Sequence, residues 1–181
     1  MRKVAVFITL SALVLLSGKV LAFEPNTSDK LELNVQKAIL EIKHKDSGIQ
    51  RFFDDSAGYA VFPTVGKGGI IVGGAYGRGL VIVNEQVDGY TAMSQGTIGL
   101  QLGGQKYSQF IFFKDETALN HYKRGNFELG AQASAVAITA GASSDAAYDA
   151  GVAIFTVAAG GLMVEASIGG QRFSYEAKST D

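Results

Sequence analysis

Glycine divides most of this chain into short segments, and this feature limits what the chain can fold into. The sequence holds 23 glycines among 181 residues, many of them in pairs from position 68 onward. The runs between them are rich in valine, isoleucine, phenylalanine and tyrosine, which favour strands. Strands separated by such short turns pair antiparallel, because parallel neighbours need long crossover connections. The pattern predicts a mostly antiparallel, strongly curved β-sheet or barrel-like core.

Strands are predicted wherever these β-type runs occur. Asp88–Gly89 has the composition of a two-residue hairpin turn and is predicted as one. The long alanine-rich stretch that follows residue 131 favours helix by composition, but its glycines and β-branched residues favour strand, loop and strand. The predicted strands are 59–62, 69–75, 80–84, 97–102, 107–113, 127–138, 152–158, 162–168 and 172–175.

A helical segment is predicted at the start of the domain. Asp29 followed by Glu32 is the pattern of an N-cap with its reciprocal partner, and Glu32 is expected on the solvent-facing surface. A short second helix is predicted from Ser47, and another helix from Asp115 lies between two predicted strands. The fold class predicted is therefore α+β. The first helix carries apolar residues at helical spacing, namely Leu31, Val35, Ala38, Ile39 and Ile42.

The first 22 residues have the pattern of a cleavable signal peptide. Two basic residues precede an apolar run from Val4 to Leu16, which is shorter than the about 20 residues needed to span a bilayer. Val20 and Ala22 occupy the positions that signal peptidase recognises, which predicts cleavage between Ala22 and Phe23. We expect residues 23–181 to form a single domain that is periplasmic or secreted. An uncleaved membrane anchor is the alternative.

Composition and motifs argue against catalysis. The absence of cysteine excludes disulfides and thiolate metal sites, and a net charge of −1 argues against nucleic-acid binding. His44 and His121 are far apart in sequence, and no nucleophile-elbow or phosphate-loop motif occurs. Asp54 and Asp55 could hold a cation or serve as an acid–base pair, but at a junction between a helix and a strand such residues more often cap and solvate. We predict no enzyme activity, no metal and no cofactor.

An internal repeat lies in the β region. The stretch 102–108 matches 168–174 position for position, and each copy has an apolar strand, a glycine pair, a polar and a basic residue, then an aromatic one. This predicts two equivalent bends in a pseudo-symmetric sheet. A two-fold ligand site is the alternative.

Basic residues beside the glycine turns are candidates for membrane contact. Cations and aromatic side chains together suit a headgroup surface, although ordinary exposed charges would give the same spacing. The candidates are Lys67, Arg78, Lys106 and Arg172, accompanied by Phe62, Tyr76, Tyr107 and Phe173.

Six stretches of the sequence carry a resemblance to a known family, namely 57–63, 67–74, 76–79, 98–105, 110–113 and 161–170. No single stretch is decisive, but their order and spacing together are specific, and the likeness extends over about residues 30–176. Together they resemble the SYLF family, a lipid-binding domain also called the Ysc84 actin-binding domain.

The resemblance implies a non-catalytic domain that binds phospholipid membranes, partly through its N-terminal helix. On this helix the matching basic residues are Lys30, Lys37, Lys43 and Lys45. Eukaryotic relatives bind phosphoinositides or actin, but an exported protein would meet neither, so actin binding is not expected. The expected partner is an anionic phospholipid surface of the cell envelope. A soluble carrier of a small apolar ligand and an envelope protein-interaction module are the alternatives.

Overall fold

The computed structural model describes residues 22–69, 72–98, 105–131, 133–159 and 168–179, and every structural statement below concerns these residues. The predicted signal peptide up to residue 21 lies outside them. So do Gly103 and Gly104 of the repeat, and most of the predicted strands 97–102 and 162–168.

Eight strands form one sheet in the order β5-β8-β3-β2-β1-β4-β7-β6. All neighbouring pairs are antiparallel except β6 with β7. The strands are β1 Gly58–Gly69, β2 Val72–Val83, β3 Gln86–Ile98, β4 Gln105–Phe113, β5 Phe127–Glu128, β6 Val136–Ala137, β7 Val152–Ala158 and β8 Arg172–Ala177. The helices are α1 Lys30–Lys45, α2 Gln50–Asp55, preceded by a 3-10 turn at Ser47–Ile49, and α3 Glu116–Tyr122.

Helix α1 begins where the sequence predicted. The Asp29 carboxylate accepts hydrogen bonds from the backbone N–H groups of Leu31 and Glu32. The prediction that Glu32 faces solvent is wrong, because its side chain is buried. One Glu32 oxygen accepts the Asn26 N–H at 2.6 Å and the other lies 3.2 Å from the Lys178 ammonium. The carboxylate thus ties the segment before α1 to the residue after β8.

The hairpin between β2 and β3 turns at Asn84 and Glu85, whose φ angles are 50° and 60°. Two consecutive left-handed residues give the primed turn that matches the twist of paired strands. The prediction of a turn at Asp88–Gly89 is wrong, since both residues lie inside β3. Gly89 is needed there because a Cβ would lie 2.5 Å from the Glu176 carbonyl oxygen.

Each side of the sheet packs against different elements, and we name the two sides after them. Helices α1 and α2 cover part of the α1 face, where Phe52, Phe53 and Phe112 are central to the apolar cluster. Helix α3 and residues around β5 cover the α3 face, where Phe113 and Tyr122 are in contact. Residues that alternate along one strand therefore enter two separate cores.

The sheet curls around its α3 face. The buried amides of Gln109 in β4 and Gln171 before β8 exchange two hydrogen bonds, of 2.7 and 3.1 Å. Three strands separate β4 from β8 within the sheet, so this contact closes only across a strongly bent surface. The predicted α+β class with a curved, mostly antiparallel sheet and a helix between strands is confirmed.

No helix in the described part of the chain is long and apolar enough to cross a membrane.

Candidate functional site

The apolar stripe of α1 packs on the sheet. Val35, Ile39 and Ile42 are buried in the cluster that includes Phe112 and Phe155. If this stripe inserted into a membrane, these residues would have to leave the protein core. Contact of the folded domain with a membrane would therefore need other side chains.

A second stripe of α1 faces solvent. Lys30, Leu33, Lys37, Leu40 and His44 are all exposed, and their spacing of three or four residues places them along one side of the helix. The exposed fractions of Leu33 and Leu40 are 38% and 62%. Two unburied leucines alternating with lysines make this side amphipathic in its own right.

Beside α1, a row of residues crosses five strands of the α1 face. Strand register aligns Arg172 with Ser94, Ser94 with Tyr76, Tyr76 with Gly66, and Gly66 with Lys106. Tyr76 stands at the centre and is 57% exposed. A Cβ on Gly66 would have nothing within 4 Å among the described atoms, so the surface next to the tyrosine is open. The row therefore has a cation at each end and an exposed aromatic ring between them.

The two repeat copies supply the ends of this row. Lys106 and Arg172 are both exposed on the α1 face, while the next residues, Tyr107 and Phe173, are both buried in the α3-face cluster. Lys106 on β4 and Arg172 on β8 therefore occupy equivalent positions on either side of the three strands β1, β2 and β3. The glutamines differ, because Gln105 is exposed and Gln171 is buried.

The structure brings Lys37 and Lys106 into one cleft between α1 and β4. The cleft has a volume of about 380 Å³, and Asn34, Thr64 and Ser108 add neutral polar groups to its lining. Glu41 also lines it, and its carboxylate pairs with Lys45 at 3.2 Å. Among the described residues neither Lys37 nor Lys106 forms an ion pair, and the same holds for Lys30 and Arg78. These four cations can meet an external anion.

Three other candidate cations have partners within the protein. The Lys43 ammonium lies 4.2 Å from the ring centre of Phe53, and burial lowers the pKa of Lys43 despite the nearby Glu85 and Asp54 carboxylates. Lys45 pairs with Glu41 as described above. Arg172 contacts the Glu128 carboxylate at 3.1 Å in an exposed pair.

Lys67 lies on the opposite side from the other strand candidates. In the pairing of β1 with β4, Lys67 lies opposite Gln105. Val65, two residues before Lys67 in β1, lies opposite Tyr107, and both are buried in the α3-face cluster. Side chains two residues apart in a strand share a face, so Lys67 belongs to the α3 face. The predicted grouping of Lys67 with Arg78 on one surface is not what the structure shows.

Of the four aromatic residues predicted to accompany the cations, only Tyr76 is exposed. Phe62, Tyr107 and Phe173 are buried. Sequence reasoning missed Leu33 and Leu40. Their separation of seven residues places them on one side of a helix, outside the stripe that the other apolar residues of α1 form, and this spacing could have indicated them. In the described part of the chain no three His, Asp or Glu side chains group as a metal site. Asp54 and Asp55 are exposed, and Asp54 accepts a hydrogen bond from the Gln50 amide.

A family model and a curated relative are similar to parts of this chain. Residues 94–181, just under half of the chain, match the family model Ysc84, described as Las17-binding protein actin regulator. Beta cell expansion factor A from Aeromonas veronii is 28% identical over 138 residues, which cover 75% of this chain and 52% of that protein. The chain spans about half the length of this curated relative.

The predicted resemblance to the Ysc84, or SYLF, family is thereby confirmed, by the family model over residues 94–181 and by this relative over 138 residues. This is a family of lipid- or actin-related binding domains and is not a known class of enzymes.

Proposed function

We propose that this protein binds anionic phospholipid surfaces of the bacterial cell envelope through its α1 face. The observation that carries the proposal is the position of three side chains. Leu33, Leu40 and Tyr76 are the exposed large apolar residues of the described chain, and all three lie on this side of the sheet. The cations Lys30, Lys37, Arg78 and Lys106, which have no ion-pair partner among the described residues, lie on the same side.

These residue types have complementary roles at a bilayer surface. A lysine or arginine near an anionic leaflet contributes about 1 kcal/mol, and tyrosine favours the headgroup region. A leucine that leaves water completely contributes about 1.5–3 kcal/mol. Loss of Arg2, Lys3 and Lys19 with a signal peptide would lower Lys plus Arg from 16 to 13, against 17 Asp plus Glu. The net charge would be negative, so the attraction must arise locally on the α1 face.

Vesicle co-sedimentation tests this directly. The exported protein should bind vesicles that contain phosphatidylglycerol and should bind pure phosphatidylcholine vesicles much more weakly. Binding should fall markedly between about 50 and 500 mM salt, since surface charge contacts are screened. Equal binding to both vesicle types, or none at low salt, would contradict the proposal and favour a carrier or a protein-interaction module.

Charge reversal locates the contact. Lys37→Glu combined with Lys106→Glu should weaken binding by at least about thirty-fold, which corresponds to about 1 kcal/mol for each lysine lost. Lys67→Glu is the control on the α3 face: it reverses one lysine charge, where the double variant reverses two, and should leave binding almost unchanged. Leu40→Ser should weaken binding without lowering stability, because this side chain is already exposed. If Lys67→Glu proved as harmful as the double variant, the α1 face would not be the contact surface.

Export is the second part of the proposal, and it predicts a defined amino terminus. N-terminal sequencing of the protein from the periplasm or medium should begin at Phe23. Ala22 is exposed, whereas Phe23 is buried in the α1-face cluster, so cleavage between them would leave the packed residue in the domain. A protein that keeps Met1, or that stays in the cytosol, would overturn the proposed compartment and reopen actin as a partner.

A further inference from the structure

An apolar cleft lies at the edge of the sheet, and its lining contains no lysine or arginine. It opens between three parts of the chain: strand β7, the residues around β5 and β6, and the loop that precedes β7. Its volume is about 550 Å³. Its walls include five alanines, among them Ala133 and Ala146, together with larger residues such as Leu129, Val136 and Phe155. Ligand pockets of small molecules commonly fall between about 300 and 1,000 Å³.

Small side chains leave this space open. On the edge of β7 opposite β4, strand β6 pairs only at Phe155 and Thr156, and Asp149 bridges to Val152. No described strand covers Ala153 and Ile154 on that edge, and both line the cleft. Alanine at the lining positions provides apolar surface without filling the volume. A water molecule takes about 30 Å³ in the liquid, so the cleft has room for roughly 18 groups of that size, such as the carbons of one alkyl chain.

The rim of the cleft is acidic. Asp145, Asp149 and Glu128 line it and are exposed, and His121 is exposed beside them. Two arginines face this region from neighbouring elements. Arg172 pairs with Glu128, and the Arg51 guanidinium on α2 donates hydrogen bonds to the carbonyls of Ser143, Ser144 and Ala146. Asp145 and Asp149 have no ion-pair partner among the described residues.

We propose that this cleft binds a single cationic amphiphile, with the alkyl chain against the alanine-lined wall and the amine or ammonium group at Asp145 and Asp149. The proposal follows from an apolar interior combined with unpaired carboxylates at its mouth. It does not depend on membrane binding, which is proposed for Lys30, Lys37, Arg78 and Lys106, none of which lines the cleft.

Isothermal titration with dodecyltrimethylammonium below its micelle concentration tests this site on the exported protein. We expect saturable binding with one molecule per chain. Dodecyl sulfate, which has the same chain and the opposite charge, should bind at least about ten-fold more weakly, because its head group would meet the carboxylates of Asp145 and Asp149. Absence of saturable binding, or equal affinity for both head groups, would overturn the proposal.

Two variants separate the wall from the rim. Asp145→Asn with Asp149→Asn should weaken dodecyltrimethylammonium binding by about ten-fold and leave binding of neutral dodecyl maltoside unchanged. Ala133→Phe should fill the cleft and abolish binding of both compounds, whereas Ala177→Phe, at an exposed position on β8, is the matched control. If the folded Ala133→Phe variant binds as the wild type does, the cleft is not the site. If that variant does not fold, the carboxamide variant alone decides the outcome.

The membrane variants distinguish this site from the proposed function. Lys37→Glu with Lys106→Glu should retain normal affinity for dodecyltrimethylammonium. Vesicle binding that fails while amphiphile binding persists would remove the membrane proposal and leave the cleft. The reverse result would remove only the cleft.

Discussion

Replacement of Phe112 by alanine is expected to lower the free energy of unfolding by about 4 kcal/mol. Phe112 is fully buried in β4, and its ring centre lies 4.9 Å from that of Phe53 and 5.6 Å from that of Phe52. Tyr59 and Phe155 contact the same ring, each at 5.8 Å between centres. Truncation removes the residue on which α2, β1 and β7 converge, and the rings around it cannot all close the gap.

Urea unfolding monitored by circular dichroism measures this loss. Tyr76→Ala is the matched control, because it removes an aromatic side chain that is 57% exposed and should change stability by no more than about 0.5 kcal/mol. Phe112→Leu should retain much of the stability. A Phe112→Ala variant that loses less than about 1.5 kcal/mol would show that the α1-face core is loosely packed, contrary to the structure.

The same core decides which residues can report on membrane contact. Ile39 packs in this cluster, so Ile39→Ser would lower stability regardless of whether a membrane is present. Leu40 follows it directly and is mostly exposed. Comparing the two variants separates loss of folding from loss of lipid contact.

Strands with β-branched and aromatic residues could be predicted from sequence, whereas β3 could not. Its central part contains Thr91, Ser94, Gln95 and Gly96, which have no clear β pattern. The strand is stable because these polar groups find distant partners. Thr91, for example, hydrogen-bonds to the Tyr122 hydroxyl and to the Ser174 carbonyl, each at 2.7 Å. Such tertiary contacts are invisible to local propensity.

The alanine-rich stretch shows a similar limit. The predicted strand 127–138 is present only as two short strands, β5 and β6. The segment between β6 and β7 is held instead by contacts with the helices. The Arg51 guanidinium binds its carbonyls, and the buried Asp46 carboxylate accepts the Ser143 N–H at 2.7 Å.

The position of Lys67 illustrates why the site could be predicted only in part. Tyr59 and Val61 belong to the α1-face cluster, so strict alternation along β1 would place Lys67 on that face too. The pairing of β1 shifts register between Phe62 and Val65, around Pro63, which moves the later residues to the opposite face. A bulge of one residue thus separates Lys67 from Arg78, and no composition rule locates it.

Replacement of Gly79 by alanine is the second large effect we expect. Strand β2 alternates Tyr76 and Arg78, which point outward on the α1 face, with Gly77 and Gly79 on the α3 face. A Cβ on Gly79 would clash with the Val61 carbonyl oxygen and would lie 2.9 Å from the nearest atom of the Phe62 ring. The nearest atom belongs to the backbone of a paired strand, so β1 or β2 must move. We expect a loss of about 3–5 kcal/mol, or failure to fold.

Gly66→Ala is the matched control for Gly79→Ala, since Gly66 lies on the neighbouring strand and has open space where a Cβ would stand. The free energy of unfolding of Gly66→Ala should differ from that of the unmodified protein by no more than about 0.5 kcal/mol, with both variants measured by urea unfolding. If Gly79→Ala were equally harmless, the close approach of β2 to the bulged part of β1 would be absent in solution. Tyr76 and Arg78 lie on the same strand as Gly79, so a displacement of β2 would also move these two side chains. A folded Gly79→Ala protein should therefore also bind anionic vesicles more weakly than Gly66→Ala does.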